Sequence, residues 1–230
     1  MIAVSEAFGP TFQGEGPYTG QRCWFLRLGL CNLHCTWCDT PYTWDRTGYD
    51  LDAECPPATL RQILAMLGAV GWFPHDLLIL TGGEPMIHAR TPELAELLTH
   101  AQRVHVETNG TIIPPPEVAE RVEHWSVSPK INPQGDPVHR RLRREALAWY
   151  ARLPNAAFKI VVRTADEVVA VQRFAEVLDL RTDRVWIMPE GRAADKVLSC
   201  AIDIEQATLA AGFHLTLRQQ VLLHGDTRGY

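Results

Sequence analysis

Six short apolar, β-rich runs recur along the chain, at residues 23–28, 77–80, 104–106, 125–127, 158–162 and 185–188. Between several of them lie segments with apolar residues at helical spacing, at 59–67, 92–102, 139–152, 165–178 and 194–211. A strand–helix alternation of this kind folds only as parallel strands joined by right-handed crossovers, because each parallel return needs a covering helix. The outcome is a doubly wound sheet, or a full or partial (β/α) barrel, and in each the chemistry gathers beyond the carboxyl ends of the strands.

The polar motifs fall at those ends. Three cysteines follow the first run, TGGEP (81–85) the second, ETNG (107–110) the third and SPK (128–130) the fourth. One shared mouth can receive all four. A chain of 230 residues with 46% hydrophobic residues fills one sizeable core, so a single domain spanning 1–230 is expected, and no internal repeat or long polar linker argues otherwise. The net charge of −5 lacks the basic excess of a phosphate-bound partner, which argues against direct binding of nucleic acid. There is neither an export-type leader nor an apolar run of about 20 residues, so a soluble, cytoplasmic protein with no membrane contact is predicted.

In LGLCNLHCTWCDT, three of the six cysteines, Cys31, Cys35 and Cys38, fall within eight residues. That crowding, without an export signal, favours metal ligation over disulfides. A structural zinc site closes with four ligands, and an electron-transfer cubane uses four cysteines; three thiolates leave one iron open to a ligand. The alternatives are zinc held by the three cysteines plus His34, or unligated thiols. Cys23, Cys55 and Cys200 have no ligand spacing and are expected as small buried hydrophobes.

With these residues in view, the chain resembles radical S-adenosylmethionine (SAM) enzymes: the three cysteines match that family's pattern without insertion, and TGGEP resembles its glycine-rich motif. FQGEG (12–16), FLRLGLCNLHCTWCDT, ETNG and SPK together resemble the 7-carboxy-7-deazaguanine synthase family. The resemblance implies a single-domain partial (β/α) barrel with about six parallel core strands. It also implies one 4Fe-4S cluster on Cys31, Cys35 and Cys38, and reductive cleavage of SAM. The implied reaction is the radical ring contraction of 6-carboxy-5,6,7,8-tetrahydropterin to 7-carboxy-7-deazaguanine with loss of ammonia, in queuosine and other 7-deazapurine biosynthesis.

The same resemblance assigns roles by position. Substrate would be met by Phe12, Gln13, Gly14, Glu15, Arg27, Thr81 and Glu107, with the planar guanidinium of Arg27 suited to the substrate carboxylate. SAM would be met by Thr36, Trp37, Cys38, Asp39, Gly82, Gly83, Glu84, Ser128, Pro129 and Lys130. Ile187, Met188, Pro189 and Glu190 are expected to join them, although this chain has Met188-Pro189 where the family often has glutamine-proline. Thr40 would ligate Mg2+, which keeps most of its waters. A homodimer and a flavodoxin-type reductant are implied as partners. The rival readings are another radical enzyme, such as a glycyl-radical activase, and an iron–sulfur electron carrier.

Overall fold

A computed structural model of the chain describes residues 1–132 and 135–230. The strands are β1 (Ile2–Phe12), β2 (Arg22–Leu28), β3 (Pro57–Ala58), β4 (Leu77–Gly82), β5 (Arg103–Thr108), β6 (His124–Val127), β7 (Ala156–Val162), β8 (Val185–Pro189) and β9 (His214–Leu215). The helices are α1 (Leu51–Glu54), α2 (Leu60–Ala69), α3 (Pro92–His100), α4 (Pro116–Ala119), α5 (Val138–Arg141), α6 (Arg144–Arg152), α7 (Ala165–Val177), α8 (Ala194–Ala210) and α9 (Gln219–His224). None is long and apolar enough to cross a membrane among the described residues.

All six apolar runs are strands, and they pair in parallel in the order β2-β4-β5-β6-β7-β8, with β9 added beyond. β1 lies antiparallel on β2, and β3 on β1. The sheet ends at β3 on one side and β9 on the other, so it is an open, partial barrel, as expected. Helix starts obey capping chemistry: Thr59 and Gln62 form a reciprocal capping box on α2, Thr91 caps α3 just before Pro92, and Thr164 caps α7. The expected helix over 139–152 is instead two, α5 and α6. Leu142 and Arg143 leave helical dihedrals, and Arg141, at the end of α5, turns inward and gives its guanidinium to the carbonyls of Lys130, Ile131 and Asp136.

Alternation along each strand separates two faces. Leu26, Leu80, Val106, Val127, Ile160 and Ile187 point outward into the core shared with the helices. On the inner face, Phe8, Cys23, Phe25, Leu77 and Ile79 form a second, smaller cluster, with the Phe8 and Phe25 rings stacked at 4.9 Å. Beside it, Tyr18 packs against His105 and His124, at 4.4 and 4.6 Å between centroids. These groups make a floor, and the strand ends above it stay open for polar side chains.

The gap between the two edges of the sheet is bridged by a turn rather than by strand pairing. Gly16 N–H donates to Thr216 Oγ1 at 2.8 Å, and Gln219 N–H to Gly14 O at 2.9 Å. The segment after β1 is thereby held against the segment after β9.

Candidate active site

The cysteine loop leaves β2 and is pinned by the residues that follow β4. Gly83 N–H donates to Leu28 O at 3.1 Å and Glu84 N–H to Leu30 O at 2.8 Å. A Cβ on Gly82 would lie 2.0 Å from Leu28 O, and one on Gly83 2.1 Å from Leu30 O. The glycines of TGGEP are therefore required by the close approach of the cysteine loop itself, a protein-side reason that the sequence does not disclose.

Glu84 is fully buried and accepts from Met86 N at 3.0 Å, Thr108 Oγ1 at 2.8 Å and Asn109 N at 2.6 Å. Burial pushes its carboxyl upward, while these donors oppose the shift. Asn109 Nδ2 in turn donates to Asn32 Oδ1 at 2.9 Å, and Asn32 Nδ2 to Thr111 Oγ1 at 2.8 Å. On the other flank, the buried Asp136 accepts from His34 N. TGGEP, ETNG and the cysteine loop are thus one hydrogen-bonded unit.

A cavity of about 320 Å3 opens at the strand ends. Of the residues singled out from sequence, Phe12, Gln13, Gly14, Glu15, Arg27, Cys31, Cys35, Trp37, Cys38, Asp39, Thr40, Thr81, Gly82, Gly83, Glu107, Ser128, Lys130, Met188 and Glu190 all line it. Five do not. Ile187 points the other way into the helix-covered core, because it alternates with Met188, and Pro189 is buried beside it. Glu84 is spent on the bonds just described, Pro129 is buried behind the wall, and Thr36 is exposed outside it. The Ile187 and Glu84 side chains thus support the wall, Ile187 from the helix-covered core and Glu84 through its bonds to the 108–109 turn.

Two charge clusters shape the space. In the first, Lys159, buried on β7, donates to Glu15 and, at 3.2 Å, to Glu107 Oε1. Glu107 also accepts from Thr81 Oγ1 at 2.7 Å and Gln13 Nε2 at 3.3 Å. Glu15 accepts from Arg218 Nε at 3.1 Å and Gln220 Nε2 at 2.6 Å, and Arg218 reaches on to Asp39. Burial alone would raise the Glu15 carboxyl, but Lys159 and Arg218 outweigh it and hold it well below the usual carboxylate range. Burial likewise opposes the Lys159 ammonium, and the carboxylates of Glu107 and Glu15 overcome it and push the amine above its ordinary range.

In the second cluster, Glu6 Oε1 accepts from Arg27 Nε at 2.7 Å and Tyr42 OH at 3.2 Å, while Oε2 accepts from Arg228 Nε at 3.2 Å. Arg228 lies 4.0 Å over the Tyr42 ring and also pairs with Glu54 at 2.8 Å. The polar segment 224–230, which the sequence leaves unplaced, therefore folds over the cavity mouth.

Sequence reasoning passed over Lys159, Arg218, Gln220, Glu6 and Tyr42. Only Lys159 left a signal, as a lone charge inside the apolar strand AAFKIVV.

The three thiols suit an iron–sulfur cluster. All are free, half-buried and on one cavity, Cys38 Sγ accepts from Trp44 Nε1 at 3.2 Å, and Cys31 Sγ from Leu33 N at 3.5 Å. Such N–H···S bonds are how a protein tunes cluster thiolates. His34 is no fourth ligand: its ring is exposed, outside the cavity, and faces Asp136 and Trp44. Among the described residues, no three His, Cys, Asp or Glu side chains converge as a single ion needs.

The Radical SAM superfamily matches residues 27–171. A 7-carboxy-7-deazaguanine synthase of Pyrobaculum aerophilum is 33% identical over 99% of this chain and 97% of its own length, and one of Rhodopirellula baltica 31% identical over 99% and 88%. The crystal structure of QueE from Escherichia coli superposes with a TM-score of 0.64 at 26% identity, covering 95% of this chain and 94% of that one. A relative this similar over nearly the whole length, on a fold that brings the cysteines and the strand-end motifs to one cavity, places the chain in the 7-carboxy-7-deazaguanine synthase family of radical SAM enzymes.

Proposed function

We propose that the chain is a lyase that contracts 6-carboxy-5,6,7,8-tetrahydropterin to 7-carboxy-7-deazaguanine with loss of ammonia. The carrying observation is the convergence of the three cysteines, the Glu15–Lys159–Glu107 cluster and Arg27 on a single cavity. Cys31, Cys35 and Cys38 hold the 4Fe-4S cluster, and Gly82, Gly83, Ser128 and Lys130 stand where SAM would lie against it. When bound, the cluster and SAM supply the one-electron chemistry.

The chain's own residues bind and shield. Arg27 has its Nε on Glu6, which fixes the plane of its guanidinium toward the cavity and leaves the outer nitrogens for the substrate carboxylate. Glu15 and Glu107, both paired with Lys159, accept from the amino and ring N–H groups of the pyrimidinone edge. Phe12 and Phe25 supply apolar surface for the flat heterocycle, and the 225–230 segment limits entry of water. Thr40 is the protein ligand for Mg2+; its hydroxyl stands on the cavity wall, 3.6 Å from Cys38 Sγ. Residues 1–230 act as one domain, two copies form a homodimer, and a flavodoxin-type protein is the reductant, in the cytoplasm.

The test is anaerobic incubation of the iron-reconstituted protein with dithionite, SAM, Mg2+ and the tetrahydropterin. 7-Carboxy-7-deazaguanine in the mass spectrum is the expected product. Release of 5′-deoxyadenosine without it would retain the radical chemistry and refute the substrate.

A further inference from the structure

Residues 139–144 read HRRLRR in a chain whose net charge is −5. Arg141 is buried as a structural clamp, but His139, Arg140, Arg143 and Arg144 are exposed. Arg140 stands 3.6 Å from Asp136 and donates to Asn32 O at 3.3 Å; among the described residues no carboxylate pairs with Arg143 or Arg144, and Glu145 is the acidic side chain beside them. Arg143 and Arg144, with His139, rim a shallow cleft whose floor is the half-buried Ile112, Ile113 and Leu142, and Arg140 stands on the same short segment. An apolar floor inside a charged rim is the anatomy of a protein-docking site.

Position gives the cleft its meaning. Its wall includes Thr111, whose Oγ1 accepts from Asn32 Nδ2, and Asn32 is covalently next to Cys31. The cleft is therefore one hydrogen bond from the cysteine loop and shares no lining residue with the substrate cavity, which residues 225–230 help to line. Arg140 also bonds the Asn32 carbonyl, so the basic segment and the cleft both reach the residue beside Cys31, and a carrier seated here has a short protein path to the cysteine loop.

We infer that this cleft docks an acidic one-electron carrier protein that reduces the cluster, an inference that rests on the proposed radical chemistry. The carrier gives up one electron and is oxidised by one; the cluster gains it; no bond is made or broken. Electron-transfer encounters are small and weak, so a cationic rim acts mainly by steering, raising the association rate at low salt.

The experiment uses the cluster-loaded protein, a flavodoxin as probe and dithionite as the small reductant. In R143E/R144E the acidic replacements sit at the N-terminus of α6, where the helix dipole favours them, so the fold is retained. Flavodoxin binding, measured by titration, and cluster bleaching by flavodoxin hydroquinone, measured by stopped flow, are each expected to fall about tenfold or more at low salt. The loss should shrink as salt rises, R143K/R144K should behave as the unaltered chain, and dithionite should reduce every variant equally. Unchanged flavodoxin binding and bleaching in R143E/R144E, or an equal loss with dithionite, would overturn the docking site. Failure of the unaltered protein to form product with dithionite would instead overturn the proposed reaction, leaving flavodoxin binding to decide the docking site by itself.

Discussion

The buried Lys159 sits between Glu15 and Glu107, and replacing it by methionine leaves two largely enclosed carboxylates without their shared cation. Breaking a buried pair in this way costs about 3–5 kcal/mol. The K159M variant is expected to lose about that much stability in urea titration and to raise the substrate KM more than tenfold, while its cluster absorbance stays unchanged. The pH dependence follows the same pairs. Glu15 titrates below its ordinary range in the folded chain, so its contribution is present above that range and is lost as pH falls through it. Lys159 titrates above its ordinary 10.5, so its contribution is present below that value and is lost as pH rises past it. The alkaline loss is expected to disappear in K159M. At this scale the sequence disclosed much, since motif residues such as Glu107 and Thr81 do meet in one cavity. Strand period sorts the rest: Ile187 and Met188 are neighbours in β8, and only the second turns its side chain to the cavity. Arg218 and Gln220 left no trace because their partner, Glu15, is some 200 residues away and no local pattern encodes the meeting.

Among the elements, the contact between the ends of β2 and β4 is the most sensitive. A Gly83→Ala Cβ meets the Leu30 carbonyl at 2.1 Å, and backbone cannot yield as a flexible side chain does. G83A is expected to keep its far-UV circular dichroism and lose most of its bound iron, read by iron assay after reconstitution. The β5–β6 pair offers a pH test. Burial, and then His105, depress the His124 imidazole to about 3, so the unfolded chain takes up the proton first as pH falls below 6.5 and stability is lost in that window. By pH 5 this loss is on the order of 2 kcal/mol, and H124F should remove about that much of the difference between urea midpoints at pH 8 and pH 5. The six central parallel strands were legible because they are short apolar runs buried on both faces, whereas the exposed two-residue β9 was not. β1 was not: its alternation is half polar, Gly9 and Pro10 interrupt it, and it runs antiparallel at the margin. The division of the 139–152 helix was also hidden: it falls at Leu142 and Arg143, where no glycine or proline marks it, beside an Arg141 anchored to carbonyls of the preceding loop.

For the molecule as a whole, residues 225–230 return to the cavity beside the first strand. Arg228 ties the last residues to Glu6, Glu54 and Ser5, so R228A is expected to expose the 225–230 segment to proteolysis and raise the substrate KM several-fold, with SAM cleavage retained. The bridging turn carries a different implication. Gly14, Glu15 and Gly16 are made some 200 residues before their partners Thr216, Arg218, Gln219 and Gln220. A nascent chain can fold its first strands and present its thiols long before Glu15 finds Arg218. Until residue 220 has emerged, the pocket lacks part of its floor, and a chain still in synthesis is expected to take up iron without yet being able to hold a substrate.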